Sequence, residues 1–230
     1  AMSACSAALW QDGRTLSRVT RPMERGHAEA LLPMIESVMA EGGRTYAELD
    51  LIAATLGPGA FTGIRIGLAA ARGLALAAQK PCAGVTTLEA LAAAARVTPI
   101  GVHSHDGAGG AVLAVIESRR ADLFAQAFDS SGAPLGPAAA LPPEGLAEFV
   151  RATGLAPGFV LAGDGAARAH ELLARANISA QICATARVPD PALVAAIAAG
   201  RQGQATALAP REFARLREPP LGGIATRPPR

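Results

Sequence analysis

The chain has 230 residues; half of them are hydrophobic, 17% are charged, and the formal net charge at pH 7 is +2. This composition supports a large apolar core and excludes an intrinsically disordered chain or a coiled coil. The net charge is too small to indicate binding to nucleic acid or to a membrane by itself. The length suits one large domain or two smaller lobes.

The three cysteines, Cys5, Cys82 and Cys183, lie far apart and form no CxxC pair. This spacing excludes a disulfide framework and a zinc knuckle, and it favours a reducing, cytoplasmic location. We expect no signal peptide, because no basic segment followed by an apolar one opens the sequence. We also expect no membrane span, since two arginines interrupt the most apolar stretch, residues 64–79.

The first half of the chain predicts a β-hairpin followed by alternating helices and strands. Residues 3–10 and the segment RTLSRVT flank Asp12-Gly13, a pair typical of a tight hairpin turn. Apolar residues recur at helical spacing over 27–43, where Pro33 should start or kink the helix. The other predicted elements are a buried strand at 49–56, a long helix at 62–79, a strand at 81–85, and a helix opened by the capping box Thr86-x-x-Glu89.

The second half repeats this plan after residues 98–110, whose polar, glycine-rich composition indicates a lobe boundary or an exposed turn. The predicted elements are the strands AVLAVIES and DLFAQAFD around the turn RRA, a long polar connection, a helix at 144–153, a strand at 158–162, the turn GDG, a helix at 166–176, a strand at 180–184, and a helix at 191–200 with Asp190 as its N-cap. We therefore expect an α/β fold. Its predicted parts are a lobe at 1–100, a lobe at 101–188, and a segment at 189–230 that packs back toward the first lobe and is poorly ordered beyond Pro219.

The segment between Gly57 and Gly63 resembles a phosphate-binding loop between a strand and a helix. It lacks the lysine of a Walker loop, and its last glycine comes one residue too late for GxGxxG. A helix N-terminus still attracts anions, and Thr62 is a candidate N-cap there. Two interpretations stay open for this loop and for the later GDG turn: each either contacts a nucleotide or is simply a tight turn of the backbone. The candidate nucleotide-binding residues are Gly57, Gly59, Thr62, Gly163 and Gly165.

The helix after this loop carries small residues at every fourth position from Gly63 to Ala75. A glycine inside a helix costs about 1 kcal/mol relative to alanine, so a closely approaching backbone should offset that cost. The neighbour is either the chain's own sheet or a helix of a partner. The candidate partner-binding residues, on helices 28–41 and 62–79, are Leu32, Ile35, Met39, Gly63, Arg65, Gly67, Leu68, Ala71, Leu74 and Ala75.

The sequence GPGAFTGIRIGLAAARGLA, preceded at the expected distance by HAEALLPMIESVMAEGG, resembles the TsaB (YeaZ) family. AVIESRRADLF, LAGDGA and LREPP extend the resemblance over most of the chain. The resemblance implies the two-lobed actin/Hsp70/sugar-kinase-like (ASKHA) fold. It also implies a non-catalytic subunit of the bacterial complex that makes threonylcarbamoyladenosine at adenosine 37 of tRNA.

The chain departs from the family pattern at three points. Ala60 replaces the usual serine, and Arg215 stands where the family has a tyrosine. Family members also have a strand and an Asp-Thr pair just before the segment that reads ACSAAL here. The resemblance therefore implies that the first strand of the first lobe is missing from this chain.

The resemblance further implies partners. These are a TsaD-like catalytic subunit in a heterodimer, a TsaE-like ATPase, tRNA indirectly, and a second copy of the chain when it is isolated. No cofactor is expected to bind tightly, and ATP would enter only through the partner complex. TsaD holds a metal with HxxxH, but the matching residues here are His27 and Leu31, and leucine cannot coordinate a metal. We therefore expect no catalytic and no metal-binding residues.

Enzymatic alternatives stay open beside this interpretation. A stand-alone ATPase or kinase of the actin-like fold would need an intact first phosphate turn, and a glycoprotease-like metallopeptidase would need the ligand that Leu31 replaces. The HSHD cluster at 103–106 is either a weak metal site or, more simply, an exposed polar turn. Arg119 and Arg120 either contact phosphate or tRNA or lie in a solvated hairpin turn.

Overall fold

The computed structural model describes residues 3–98, 110–118 and 121–201. The strands are β1 (Ala4–Gln11), β2 (Arg14–Pro22), β3 (Ile52–Thr55), β4 (Cys82–Val85), β5 (Val112–Glu117), β6 (Leu123–Phe128), β7 (Ala139–Leu141), β8 (Phe159–Ala162) and β9 (Ala180–Ile182). The helices are α1 (His27–Glu41), α2 (Phe61–Ala78), α3 (Thr87–Val97), α4 (Leu146–Thr153), α5 (Ala166–Arg175) and α6 (Pro191–Ala199). Short 3-10 turns lie at Tyr46–Glu48 and Pro143–Gly145.

The first hairpin forms where the sequence predicts it. β1 pairs antiparallel with β2 from Ala4 to Gln11. The turn residues Asp12 and Gly13 have φ angles of 48° and 81°, the positive values that a two-residue type I′ turn requires. One face of the hairpin packs against α1 through an apolar cluster around Leu9.

Helix α1 begins at His27 and continues through Pro33, so the proline does not start the helix, and the alternative that it kinks the helix stays a prediction. Gly26 lies in the left-handed region (φ 81°) and turns the chain into the helix earlier. Proline removes one hydrogen bond of the helix, but the buried face of the helix compensates for this loss. Met34 and Met39 on that face are only 1% and 8% exposed.

Strand β3 is shorter and less buried than the strand predicted at 49–56. It has four residues, each half-buried, and it pairs in parallel with β4. Among the described residues β4 is its one strand neighbour. Because no described strand pairs with its second edge, β3 is not fully covered.

The second half contains a five-stranded sheet in the order β7-β6-β5-β8-β9. The central strand β5 runs antiparallel to β6 and parallel to β8. All of its residues except the last are buried, because α3 covers one face of the sheet and α4 and α5 cover the other. β7 lies inside the predicted irregular connection; its three residues carry too little pattern to predict a strand, and pairing with β6 creates it.

Helices α3 and α6 join the two halves. Leu88 and Leu91 of α3 belong to the apolar cluster on β5 and β8, whereas Ala90 belongs to a cluster with β4 and α6. α6 also contacts β1 and β3. The predicted boundary near residue 100 therefore follows a helix that packs on both halves.

Side-chain caps fix the starts of these two helices as predicted. Thr86 Oγ1 accepts a hydrogen bond from Glu89 N at 3.1 Å. The rest of the predicted capping box does not form, because the Glu89 carboxylate pairs with Arg201 instead. Asp190 Oδ1 caps α6 through the backbone N–H two residues later, at 2.8 Å. Its Oδ2 accepts from Arg18 Nη1 at 2.8 Å, so one carboxylate caps α6 and ties it to β2.

Two substitutions separate these two roles of Asp190. Asp190→Ala removes the cap and the ion pair and should lower the free energy of unfolding by about 1–2 kcal/mol. Asp190→Asn keeps a good cap and loses only the ion pair, whose side chains are 60% and 30% exposed, so we expect a loss below about 1 kcal/mol. Urea unfolding measures both values. Equal losses in the two variants would show that the cap contributes nothing.

Candidate functional site

The predicted partner-binding residues lie on α1 and α2 but do not share one exposed face. Leu32 is 49% exposed. Arg65 is exposed and lies over the ring of Phe61, with 3.6 Å between the guanidinium carbon and the ring centroid. The half-buried members are Ile35, Gly63, Gly67 and Leu74, and the buried members are Met39, Leu68, Ala71 and Ala75.

The ridge of small residues on α2 packs in part on the chain's own sheet. Ala71 and Ala75 form an apolar cluster with Cys82, and Ile52 and Ala54 pack against it. For these two alanines the structure favours the intramolecular alternative, because their small side chains let the helix lie close to β3 and β4. The buried residues of the predicted set are covered by the chain itself.

A different face of α2 is open to a partner. Phe61 and Leu76 are 60% and 82% exposed, and Arg65 and Arg72 lie exposed on the same side of the helix. Phe61 and Leu76 lie near the two ends of the helix, about 22 Å apart, with the two arginines between them. We call these four residues, with Leu32 of α1, the outer face. Phe61 and Leu76 are not among the residues predicted from the sequence, although Phe61, Arg65, Arg72 and Leu76 follow one another at i, i+4, i+11 and i+15, a spacing that places them on one side of a helix.

Helix α2 has 18 residues and, within the described part of the chain, is the one helix long and apolar enough to cross a membrane. By length and composition, this helix therefore departs from the expectation that its two arginines exclude a membrane span. One such helix is weak support for a span, and its contacts with β3 and β4 give a packing reason for its apolar composition.

The glycine-rich loop before α2 packs against α3. The Gly57 carbonyl accepts a hydrogen bond from Thr87 N at 2.8 Å. Gly57 has a φ of 106°, and a Cβ there would lie 2.9 Å from Ile64 Cδ1. Ala60, whose backbone is extended, is the N-cap of α2 and has no side-chain bond to the helix. The prediction of Thr62 as the N-cap is therefore wrong, because the chain enters the helix two residues earlier.

The turn Gly163-Asp164-Gly165 closes the end of β5. Asp164 Oδ1 accepts from Glu117 N at 3.0 Å, and Gly165 N donates to Val115 O at 3.2 Å. Gly163 has a φ of 108°, and a Cβ there would collide with Val115 O. Burial raises the pKa of the Asp164 carboxyl group. Close packing thus accounts for both glycines, and nucleotide contact at the five candidate residues stays a prediction.

In residues 3–98, 110–118 and 121–201, no three His, Cys, Asp or Glu side chains converge into a group that could hold a metal. His27 and Leu31, the positions that match HxxxH, lie one helical turn apart on α1, and both line a cavity. The HSHD cluster at 103–106, the pair Arg119 and Arg120, and the tail beyond Pro219 lie outside the described residues.

The cysteines offer no activated nucleophile in this structure. Cys5, Cys82 and Cys183 are free and buried. Burial raises the pKa of the Cys5 and Cys82 thiols, which lowers the fraction of reactive thiolate at neutral pH. Cys82 is the first residue of β4, which forms where the sequence predicts a strand at 81–85.

A cavity of about 660 Å³ lies between β1 and β3, under α1 and α2. His27 Nε2 is buried at its wall and has no hydrogen-bond partner among the described residues. The other lining side chains are mostly small or aliphatic. The cavity therefore has a mainly apolar wall with one unsatisfied imidazole nitrogen, and it opens toward the surface near the charged residues Asp12, Arg44, Glu48 and Asp50.

Comparison with known sequences identifies relatives. A sequence model of TsaD, tRNA N6-adenosine threonylcarbamoyltransferase, matches residues 18–221. The chain is 37% identical over 124 residues to the tRNA threonylcarbamoyladenosine biosynthesis protein TsaB of Escherichia coli K12, which covers 54% of this chain and 50% of that protein. It is 51% identical over 73 residues to the tRNA N6-adenosine threonylcarbamoyltransferase of Erythrobacter litoralis, covering 32% and 21%. The matches thus span half or less of these curated relatives.

Two solved structures from Pseudomonas aeruginosa share the fold. One, described as similar to peptidase YeaZ, has a TM-score of 0.70 at 28% identity and covers 88% of both chains. The other, YeaZ, has a TM-score of 0.67 at 28% identity, with 88% and 89% covered. These matches confirm the predicted fold class and the resemblance seen in the sequence. The chain therefore belongs to the TsaD family, and it is similar to the TsaB (YeaZ) proteins in sequence and in fold.

Proposed function

We propose that this chain is the TsaB-type subunit in the synthesis of threonylcarbamoyladenosine at adenosine 37 of tRNA, and that it acts as a scaffold without catalysing the transfer. The observation that carries the proposal is the combined likeness to Escherichia coli TsaB in sequence and to Pseudomonas aeruginosa YeaZ over 88% of the chain in structure. Leucine at position 31 supports the non-catalytic role, because it replaces the second ligand of the HxxxH pair.

The proposed contact with a TsaD-like catalytic subunit is the outer face of α1 and α2. Leu32, Phe61 and Leu76 expose much of their apolar surface to water, and a partner helix pair would cover it. The neighbouring Arg65 and Arg72 suit the rim of such an interface, where arginine is common. In the absence of that subunit, a second copy of the chain would cover the same face.

The remaining parts of the proposal follow from this pairing. The heterodimer would recruit a TsaE-like ATPase, so ATP would enter through the partners and this chain would hold no cofactor tightly. Contact with tRNA would be made by the assembled complex, in the cytoplasm. In this arrangement the chain supplies a binding surface and leaves the chemistry to TsaD.

Reconstitution tests the function directly. The purified chain is combined with the TsaD-like and TsaE-like proteins of the same organism, the adenylate-forming enzyme of the pathway, ATP, threonine, bicarbonate and unmodified tRNA. We expect threonylcarbamoyladenosine, measured by mass spectrometry of digested tRNA, to form only when the chain is present. Equal modification without the chain would contradict the proposed role.

A charge on the outer face tests the placement of the interface. Leu32→Glu should raise the Kd for the TsaD-like subunit at least tenfold, because a carboxylate would be desolvated in an apolar contact. Leu135→Glu is the matched control, since Leu135 is similarly exposed, at 40%, but lies in the other half. Isothermal titration calorimetry measures both. Unchanged affinity of the Leu32 variant, or equal weakening by the control, would place the contact elsewhere.

A further inference from the structure

Strand β2 and the turn after it carry positive charge along an open edge of the first half. Residues 14–25 contain four arginines and one acidic residue, Glu24. The net charge of this stretch therefore exceeds that of the whole chain, which is +2. Among the described strands β2 pairs only with β1, and all of its residues except Ser17 and Val19 are exposed. The charge thus faces outward on a strand edge that no other described strand covers.

Most of these arginines have no ion-pair partner in the described part of the chain. Arg18 donates to Asp190 Oδ2 at 2.8 Å, which balances one positive charge. The side chains of Arg14, Arg21 and Arg25 form no hydrogen bond or ion pair with a described residue. Several arginines elsewhere do have such partners, namely Arg44, Arg151, Arg168 and Arg201. The three guanidinium groups are therefore available to a molecule outside the chain.

The strand register places Arg14 and Arg21 at the two ends of one face of β2. Arg21 pairs with Cys5 and Arg14 with Gln11, and the odd-numbered residues of β1 share one face. Ser17 on the same face donates its hydroxyl to the backbone of α1, so the helix covers the middle of this face. The two arginines lie beyond that covered part. At a rise of about 3.3 Å per residue they are about 20 Å apart along the strand.

This separation suits an extended anion better than a compact one. A single phosphate or carboxylate group holds cations that converge on it within hydrogen-bond distance, at about 3 Å, and it cannot reach both ends of such a row. The backbone of a nucleic acid presents phosphates along its whole length, and lysine and arginine side chains neutralise several of them at once. The charged side chains of β2 are all of one sign, as contact with a polyanion requires.

The backbone of this edge is poorly suited to pairing with a strand of another protein. Met23 N donates to Ser3 O at 3.0 Å, so the backbone groups of Arg18 and Pro22 are among those that point away from β1. Pro22 has no N–H to donate, and Leu16, which has no partner in β1, interrupts the row. Proline, bulges and charged side chains all discourage pairing at a strand edge. The edge therefore offers its side chains to a partner, and not a ladder of backbone hydrogen bonds.

We propose that Arg14, Arg21 and Arg25, which we call the arginine edge, contact the phosphate backbone of tRNA directly. This inference rests on the proposed function, which supplies tRNA as the nucleic acid. The one aromatic residue of the hairpin, Trp10, is half-buried on β1, so no exposed ring is available there for stacking on bases. The contact is therefore independent of base sequence. Because β2 packs against α1, which carries Leu32 of the outer face, the bound tRNA lies beside the TsaD-like subunit.

The experiment measures the affinity of unmodified tRNA for the complex of the full chain with the TsaD-like and TsaE-like proteins, by fluorescence anisotropy at several salt concentrations. The test variant combines Arg14→Gln with Arg21→Gln. We expect its Kd for tRNA at about 0.1 M salt to rise at least fivefold. The slope of log K against log salt should become shallower by about 1.5, because each lost phosphate contact removes about 0.7–0.9 from it. The matched control combines Arg151→Gln with Arg175→Gln, two exposed arginines of the second half, and should leave both values unchanged.

Two further measurements separate this inference from its alternatives. Calorimetry with the TsaD-like subunit should give the same Kd for the wild-type chain and both variants, which shows that they fold and assemble. Weaker assembly with unchanged tRNA binding would overturn the proposal and assign the edge to an acidic protein surface. Unchanged tRNA affinity of the test variant, or an equal loss in the control, would also overturn it. Modification of tRNA that does not depend on the wild-type chain would contradict the proposed function instead, since tRNA affinity is measured without catalysis.

Discussion

Burial of a central strand between two layers of helices is the constraint on which the rest of the structure depends. In the second half β5 is apolar on both faces, so it requires a helix layer on each side and a strand at each edge. Beyond the last residue pair between β5 and β8, no strand residue pairs with this edge of β5. There the Asp164 carboxylate accepts a hydrogen bond from Glu117 N instead. The turn after β8 is thereby fixed against β5.

The first half is held together by different contacts. Its two small sheets are held together by α1, α2 and α6, and α6 is tied to β2 through the Arg18–Asp190 ion pair. At the end of α6, Arg201 pairs with Glu89 of α3. These contacts fix the helices around a cavity, and they leave one side of α1 and α2 directed outward. The architecture thus separates an inner face that supports the sheet from an outer face available to a partner.

The two glycine-rich turns illustrate how packing and function can produce the same pattern. Gly57 and Gly163 both have positive φ, and each has a neighbour that a side chain would meet. In the sequence these glycines resemble phosphate-binding turns. In the structure each has a local steric reason, so their presence alone does not distinguish a nucleotide site from a close contact between a turn and a neighbouring element.

The sequence by itself determined the features that short-range chemistry controls. The Asp12-Gly13 turn, the Thr86 and Asp190 caps and the alternation of strands and helices follow from neighbouring residues, and the long motif around α2 indicated the family. Only the tertiary structure decided which residues of a helix are covered. Ala71 and Leu76 lie on the same apolar helix, yet one is buried and the other is 82% exposed. The physical reason is that burial depends on elements distant in the chain. The spacing of residues along α2 separates its faces, but it does not show which neighbour covers each face.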